Sequence, residues 1–342
     1  MPKPELAPSV MRFYGETVNE DSRLRSSADG RMELARTQEL LRRFLPPAPA
    51  RVLDVGGATG IHAEWLVKDG YEVTLVDPVP RHVESASAVC AAIVGDARDL
   101  PQPDDSFDVV QLLGPLYHLP DLDDRRRALA EAHRVVKPDG LIAVAAINRY
   151  ASLFEHVTYA HLHTERIRDS VCQILETAVY DGERGFTLSY FHRAEELADE
   201  LTAAGLVDVQ VFGIEGPAWS LVKAAEQQPG EGPTDDLIAS AMAAARMAEP
   251  YPELLAAKGC PAIPGGRTTT ATAPRRVVET PEYIQYAGAS PPCDAPHLTP
   301  RADPPGIAGQ PLARTYWPSG KLLITPMDDT PSDAPRLHLS VR

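Results

Sequence analysis

Three carboxylates and a glycine-rich turn are the residues of this sequence best placed to do chemistry. In Val52-Leu-Asp-Val-Gly-Gly-Ala-Thr-Gly60, the glycines Gly56, Gly57 and Gly60 follow a short apolar run. Glycines there let the backbone turn sharply and leave room for a ligand. A helix starting behind them offers unpaired N–H groups and the positive end of its dipole to an anion. Asp54 stands two residues before the first glycine, Asp77 stands 17 beyond Gly60, and Asp96 lies in Gly95-Asp-Ala-Arg98. If each ends a strand, Asp54 puts a carboxylate inside the crevice and Asp77 accepts hydrogen bonds from both hydroxyls of a ribose. Asp96 then reaches an adenine amino group. Acids at three successive strand ends define a purine nucleoside site. Plainer readings stand beside these: a tight strand–helix turn for the glycines, a turn former before Pro78 for Asp77, a helix cap for Asp96.

Asp54 discriminates between ligands. A dinucleotide brings its pyrophosphate close to the glycines, where a carboxylate repels it, which disfavours a nicotinamide-dependent reductase. A nucleoside carrying an amino-acid group has no phosphate; its ammonium tolerates the acid, and its carboxylate meets the helix N-terminus. S-adenosylmethionine is that molecule. Its sulfonium already activates a methyl group, so the protein need only hold an acceptor in line and keep water away. Where the acceptor must lose a proton, His118 and Tyr117, in Gly114-Pro-Leu-Tyr-His-Leu119, are the candidates. Their alternative is to pack beneath the sheet edge or line the pocket with no proton transfer.

The elements that must position these residues are legible as periodicities. Arg51–Val55, Val73–Val76, Ala92–Val94, Phe107–Leu113 and Leu141–Ala146 read as apolar strands. A helix from Ile61 to Asp69 separates the first two. Another carries Leu122, Leu129, Ala132 and Val136 on one face and is stopped by Pro138-Asp-Gly140. Continuous apolar strands joined by amphipathic helices indicate a doubly wound, mostly parallel α/β sheet covered on both faces. A helix is expected from Arg31 to Leu45, another from Ala194 to Ala204, then a strand over Val207–Ile214 and helices at both ends of 220–257. The expected organisation is an N-terminal arm over 1–50, a domain over 51–257 (cofactor half 51–148, cap half 149–257) and a tail over 258–342.

Val52–Gly60, Asp77, Gly95-Asp-Ala97, Phe107–Leu113 and Arg134-Val-Val-Lys-Pro-Asp-Gly140 together resemble the ordered motifs of class I S-adenosylmethionine-dependent methyltransferases, of the small-molecule "methyltransferase type 11" kind. The resemblance covers roughly residues 10–255 and implies a Rossmann-like methyltransferase fold. It implies that Asp54, Gly56 and Gly60 line the methionine end. Asp77 would hold the ribose, Asp96 and Ala97 the adenine, and Leu113-Gly114 the wall beside the sulfonium. The segment Arg12–Asn19 resembles the lid of these enzymes, from which Tyr14 would reach the methionine carboxylate. Ala58 departs from the family, which often has a third glycine there. Its methyl tightens the turn unless φ at that position is negative.

Composition narrows the function classes. The 342 residues carry 33 Lys plus Arg against 48 Asp plus Glu, a formal charge of −15, which argues against a nucleic-acid surface. The longest apolar run found, Leu141–Ile147, falls far short of the ~20 residues that cross a bilayer. The N-terminus lacks the apolar stretch of a secretory signal. Four scattered cysteines suit a reduced, cytoplasmic protein and exclude cluster-based radical chemistry. His156, His161 and His163 with Glu165 invite a metal reading, but their spacing suits no single helix face. No metal is expected; pocket lining or ordinary packing are the other readings, and for His192 pocket lining is favoured.

The tail holds 15 of the 33 prolines and is expected to be disordered. The family usually closes its sheet with a final antiparallel strand, and here the segment where it should lie reads Lys258-Gly-Cys-Pro-Ala-Ile-Pro-Gly-Gly-Arg267. That strand is expected to be missing, with Lys321–Thr325 as its best substitute and doubtful stability as the consequence. One explanation is a shifted reading frame. With T at the first three wobble positions, the codons of Pro264-Gly-Gly-Arg267 read one base later give Leu-Val-Val followed by Gly; the gene sequence around codons 256–268 decides it. The leading expectation is methyl transfer to a small-molecule acceptor, without nucleic acid or membrane. Its rival is an inactive cofactor- or partner-binding protein on the same fold.

Overall fold

A computed structural model describes residues 6–17, 20–182, 185–230, 232–251, 254, 260–265 and 322–323. The arm comprises α1 (Pro8–Arg12), a π-helical turn (Phe13–Thr17), α2 (Glu20–Ser26) and α3 (Ala28–Phe44). Then β1 (Arg51–Val55), α4 (Ile61–Lys68), β2 (Glu72–Asp77), α5 (Pro80–Ala86), β3 (Ala91–Val94) and β4 (Phe107–Leu112) alternate. A 3-10 turn (Pro115–His118), α6 (Leu122–Val135) and β5 (Val136–Asn148) complete the cofactor half. The remainder runs α7 (Ala151–Thr158), α8 (Glu165–Thr177), β6 (Val179–Tyr180), β7 (Ser189–His192), α9 (Ala194–Ala203), β8 (Val207–Gly213), α10 (Trp219–Gln227), α11 (Asp235–Ala248), β9 (Cys260–Gly265) and β10 (Leu322–Leu323).

The central sheet has the order β3-β2-β1-β4-β5-β9-β8, with β10 beyond β8. The pairs from β3 through β5 are all parallel. Side chains such as Leu53, Leu75, Val109, Val110, Leu112 and Val144 are fully buried, because helices cover both faces of a parallel sheet. The order reverses at β1, so the crevice beyond the tips of β1 and β4 is the natural ligand position.

Two expectations about the elements are corrected. Pro138-Asp-Gly140 does not stop α6: the helix ends at Val135 and β5 already runs through these residues. Asp139 takes φ +61°, and the register with β4 shifts between Phe107 and Val109, so an irregular strand start absorbs residues that read as a helix stop. Leu122, expected on the buried face, is 38% exposed.

The closing antiparallel strand, expected to be missing, is present as β9. Cys260, Pro261 and Ala262 lie opposite Ala146, Ala145 and Val144 of β5, and Ala262, Ile263 and Gly265 opposite Val211, Gln210 and Val207 of β8. Two prolines made this stretch read as a breaker. The fixed φ of proline is nonetheless extended enough for a strand, and its penalty is the lost N–H donor. A slot between two strands whose edges would otherwise stay unpaired outweighs that penalty. Of the suggested substitute, Leu322–Leu323 pairs antiparallel with β8 and parallel with β9. The expected disorder of the tail, and the rest of the frame-shifted reading, fall outside the described residues.

Candidate functional site

The chain leaves β1 through a turn whose conformations explain its residues. Gly56, Ala58 and Gly60 all have positive φ, at +69°, +49° and +90°. At Gly56 a side chain would also strike Pro115, 2.7 Å from its Cγ. Gly57 is required by crowding instead, since a Cβ would sit 2.5 Å from Asp54 Oδ2 and 2.6 Å from Leu75 Cδ1. Ala58 therefore holds a left-handed conformation that costs an L-residue ~1–2 kcal/mol. The condition under which its methyl is harmless, a negative φ, is not met. Ala58→Gly should raise stability by about 0.5–1 kcal/mol after the greater freedom of glycine in the unfolded chain is discounted. Urea denaturation checks this, and an unchanged or lower midpoint contradicts it.

Each of the three acids sits at a strand end, in a different environment. Asp77, 4% exposed at the tip of β2, accepts hydrogen bonds from Ala58 N at Oδ2 (2.9 Å) and from Val79 N at Oδ1 (2.9 Å). His82 Nδ1, in the first turn of α5, lies 3.1 Å from Oδ1. The carboxylate is thus clamped to the glycine turn and to the next helix, with lone pairs left for a ligand. Asp96 Oδ1 accepts from Arg98 N and Nε, both at 2.9 Å, and Oδ2 from the other end of the guanidinium at 2.7 Å. Arg98 also reaches Asp124 at 2.6 Å.

Asp54 is 1% exposed, and its Oδ2 has no hydrogen-bond partner among the described residues. Burial, reinforced by the negative charge of Asp77, pushes its carboxyl up to about 7, with neighbouring Gln111 pulling the other way. A buried acid with an orphaned oxygen, aimed across a bare glycine backbone, fits the ammonium of an amino-acid group.

These residues surround one open cavity. Asp54, Gly56, Gly57, Asp77, Asp96, Ala97, Leu113, Gly114, Tyr117, His118 and Tyr14 all line it. Gly60 does not; it caps α4 and lines a shallow neighbouring depression with Arg25, Thr59 and Glu64. The arm crosses the cavity with Leu6, Val10, Tyr14 and Leu24, and the guanidinium of Arg81 holds it by the Tyr14 carbonyl. The Tyr14 hydroxyl lies 2.7 Å from His118 Nε2, while His118 Nδ1 is 3.3 Å from the Leu188 carbonyl. With a proton on Nδ1 donated to that carbonyl, Nε2 accepts from Tyr14. The hydroxyl expected at a methionine carboxylate is therefore engaged by the candidate base.

Lining residues that escaped the sequence reading include His62, His82 and the apolar Leu6, Val10, Leu24 and Val79. His82 carried a usable signal, its place one turn into the helix behind Asp77. His62 has none beyond its nearness to Gly60, and its Nδ1 faces Trp65 Nε1 at 3.3 Å.

His192, expected in the pocket, is fully buried on β7 away from the cavity wall, 3.5 Å from Glu200. Desolvation lowers its pKa. His156, His161 and His163 do not line the cavity either. The His156 and His161 rings are 6.0 Å apart, and His163 Nδ1 donates to the Ala160 carbonyl at 2.8 Å. Among the described residues no group of three His, Cys, Asp or Glu side chains is placed to hold a metal ion, and no helix is long and apolar enough to cross a membrane.

Residues 53–144 match the family described as a methyltransferase domain. Over 98 residues the chain is 40% identical to 2-methyl-6-phytyl-1,4-hydroquinone methyltransferase 1, chloroplastic, of Oryza sativa subsp. japonica, covering 27% of this chain and 29% of that protein. It is 36% identical over 104 residues to an uncharacterized methyltransferase of Mycobacterium tuberculosis (30% and 41%). With an O-methyltransferase of Aspergillus sclerotiorum it shares 32% identity over 132 residues (35% and 49%). The chain thus spans less than half the length of these relatives. Among solved structures, a methyltransferase of Thermotoga maritima described as a possible histamine N-methyltransferase aligns with a TM-score of 0.47 at 21% identity, over 76% of this chain and all of that one.

Proposed function

We propose that this chain, whose residues 53–144 belong to the methyltransferase domain family, transfers a methyl group from S-adenosylmethionine to a small-molecule acceptor in the cytoplasm. The observation that carries the reading is the grouping of Asp54, Asp77 and Asp96 with the glycine turn around one cavity.

When bound, the cofactor supplies a methyl group already activated by a sulfonium. The chain's own residues do the rest. Asp77, its rotamer held by Ala58, Val79 and His82, accepts hydrogen bonds from the two ribose hydroxyls. Asp54 sets its charge against the ammonium. Asp96 and Ala97 flank the adenine, with Asp96 offering the lone pairs that Arg98 leaves free. Leu113 and Gly114 form the wall beside the reacting centre. Val10 and Leu24, both fully buried, close the arm over the cavity and exclude water. For an acceptor that must lose a proton, the 2.7 Å contact between Tyr14 and His118 sets the route. The acceptor proton passes to the Tyr14 oxygen as the Tyr14 proton moves to His118 Nε2. Tyr117 orients the acceptor.

Calorimetric titration with S-adenosylhomocysteine, followed by turnover measured as release of that product in a pool of small molecules, tests the reading. Binding with turnover supports it. Binding without turnover favours a cofactor-binding protein that does not catalyse, and absence of binding to the folded chain overturns both.

A further inference from the structure

The cavity wall shows an imbalance of charge. It carries three carboxylates, yet none of the described residues lining it is a lysine or an arginine. Three arginines beside the site are engaged elsewhere: Arg98 with Asp96 and Asp124, Arg25 with Glu64, and Arg81 with the Tyr14 carbonyl. Arg98 already balances Asp96. The one net positive charge that the cofactor brings is met by Asp54 and Asp77, so among the described lining residues no lysine or arginine is left over for an acceptor.

The rest of the wall is apolar. Leu6, Val10 and Leu24 from the arm face the same space as Ile61, Val79 and Leu119. Away from the nucleoside site, its polar side chains include Tyr14, Tyr117 and His118, groups that suit a hydroxyl or an amine. A phosphate or carboxylate entering here would lose its hydration with no lysine or arginine among the described lining residues to replace it, and burying an unpaired anion is strongly unfavourable. Phosphate recognition ordinarily relies on Arg or Lys clamps, or on backbone N–H groups. The glycine turn that could offer such N–H groups lies beside Asp54.

We propose that the methyl acceptor of this cavity carries no phosphate or carboxylate and presents an apolar body to the arm, with a neutral hydroxyl or amine as its polar group. This rests on the methyl-transfer reading for the word acceptor, but the charge selectivity belongs to the cavity itself.

The test uses three probes on one ring system: 2-naphthol, 2-naphthyl phosphate and 6-hydroxy-2-naphthoate. Their binding to the full chain is measured by calorimetry, with and without saturating S-adenosylhomocysteine. The expected result is that 2-naphthol binds at least about tenfold more tightly than either anion, as one uncompensated charge in a partly desolvated site implies. Leu6→Arg, on a half-buried residue of the arm, should shift the ratio of 2-naphthyl phosphate to 2-naphthol binding about tenfold toward the phosphate. Equal or tighter binding of either anion to the unsubstituted chain overturns the proposal, and so does failure of 2-naphthol to bind. If S-adenosylhomocysteine itself does not bind, the methyl-transfer reading fails, while the ranking of the probes on the unloaded chain still decides charge selectivity.

Discussion

Asp54→Asn should stabilise the ligand-free protein by about 4 kcal/mol at pH 8 and change it little near pH 4. The carboxyl is buried and its pKa is raised to about 7, against about 3.9 in an unfolded chain. A group whose folded pKa is raised contributes stability that is fully present below the unfolded value. That contribution is lost as pH rises from about 4 through 7, at ~1.4 kcal/mol per unit. Above pH 7 the folded protein holds an ionised acid with an orphaned oxygen, whereas asparagine carries no charge. Urea unfolding of both proteins at pH 4, 6 and 8 gives the comparison. Midpoints that stay parallel across this range would show that Asp54 is not strained in the apoprotein. Cofactor binding should respond in the opposite sense. An ammonium beside Asp54 favours the ionised form, so affinity for S-adenosylhomocysteine rises with pH up to about 7. In the asparagine variant that dependence should be absent.

Asp77→Ala should have the largest effect on binding, lowering S-adenosylhomocysteine affinity about a hundredfold or more. Two hydrogen bonds from hydroxyls to a charged acceptor are worth ~1.5–3 kcal/mol each. The same change strips Ala58 N and Val79 N of their acceptor and leaves His82 Nδ1 without its partner. Two backbone N–H groups near the cavity then lack a partner, so a stability loss of about 2–4 kcal/mol accompanies it. Because part of the affinity loss could come from a slackened turn, Asp77→Asn provides the control. It preserves one acceptor oxygen and should fall between the other two proteins in both melting temperature and affinity. Undiminished affinity in a folded Asp77→Ala protein would remove the ribose role.

Much of the cofactor half was legible because its signals are local. Parallel strands buried on both faces must be nearly continuous apolar runs, so β1, β2 and β4 stand out from their surroundings, and Gly56 and Gly60 mark where the backbone needs positive φ. Asp54 and Asp77 follow directly, since a residue near the end of such a run lies at the strand tip whatever the rest of the chain does. The cap half was less legible. His192 read as a pocket residue because histidines near a cleft are often functional, but pairing of β7 with β5 (Asn148 opposite His192) buries it in the sheet. For β9, a pattern containing two prolines carries no record of the unpaired edges of β5 and β8 that accept it.

The amino-acid sequence by itself determined the sheet's parallel core, the glycine turn and the placing of acids at strand ends, because each depends on residues within a few positions of one another. Tertiary structure alone decided what those groups experience. Tyr14 meets His118 across 104 positions of chain, and burial beside Asp77 turns Asp54 from an ordinary acid into one titrating near neutrality. That no lysine or arginine lines the cavity among the described residues likewise emerges only when arm and strand tips face one space. Contact, desolvation and net local charge are sums over residues distant in the chain, and only the folded arrangement fixes which terms enter those sums.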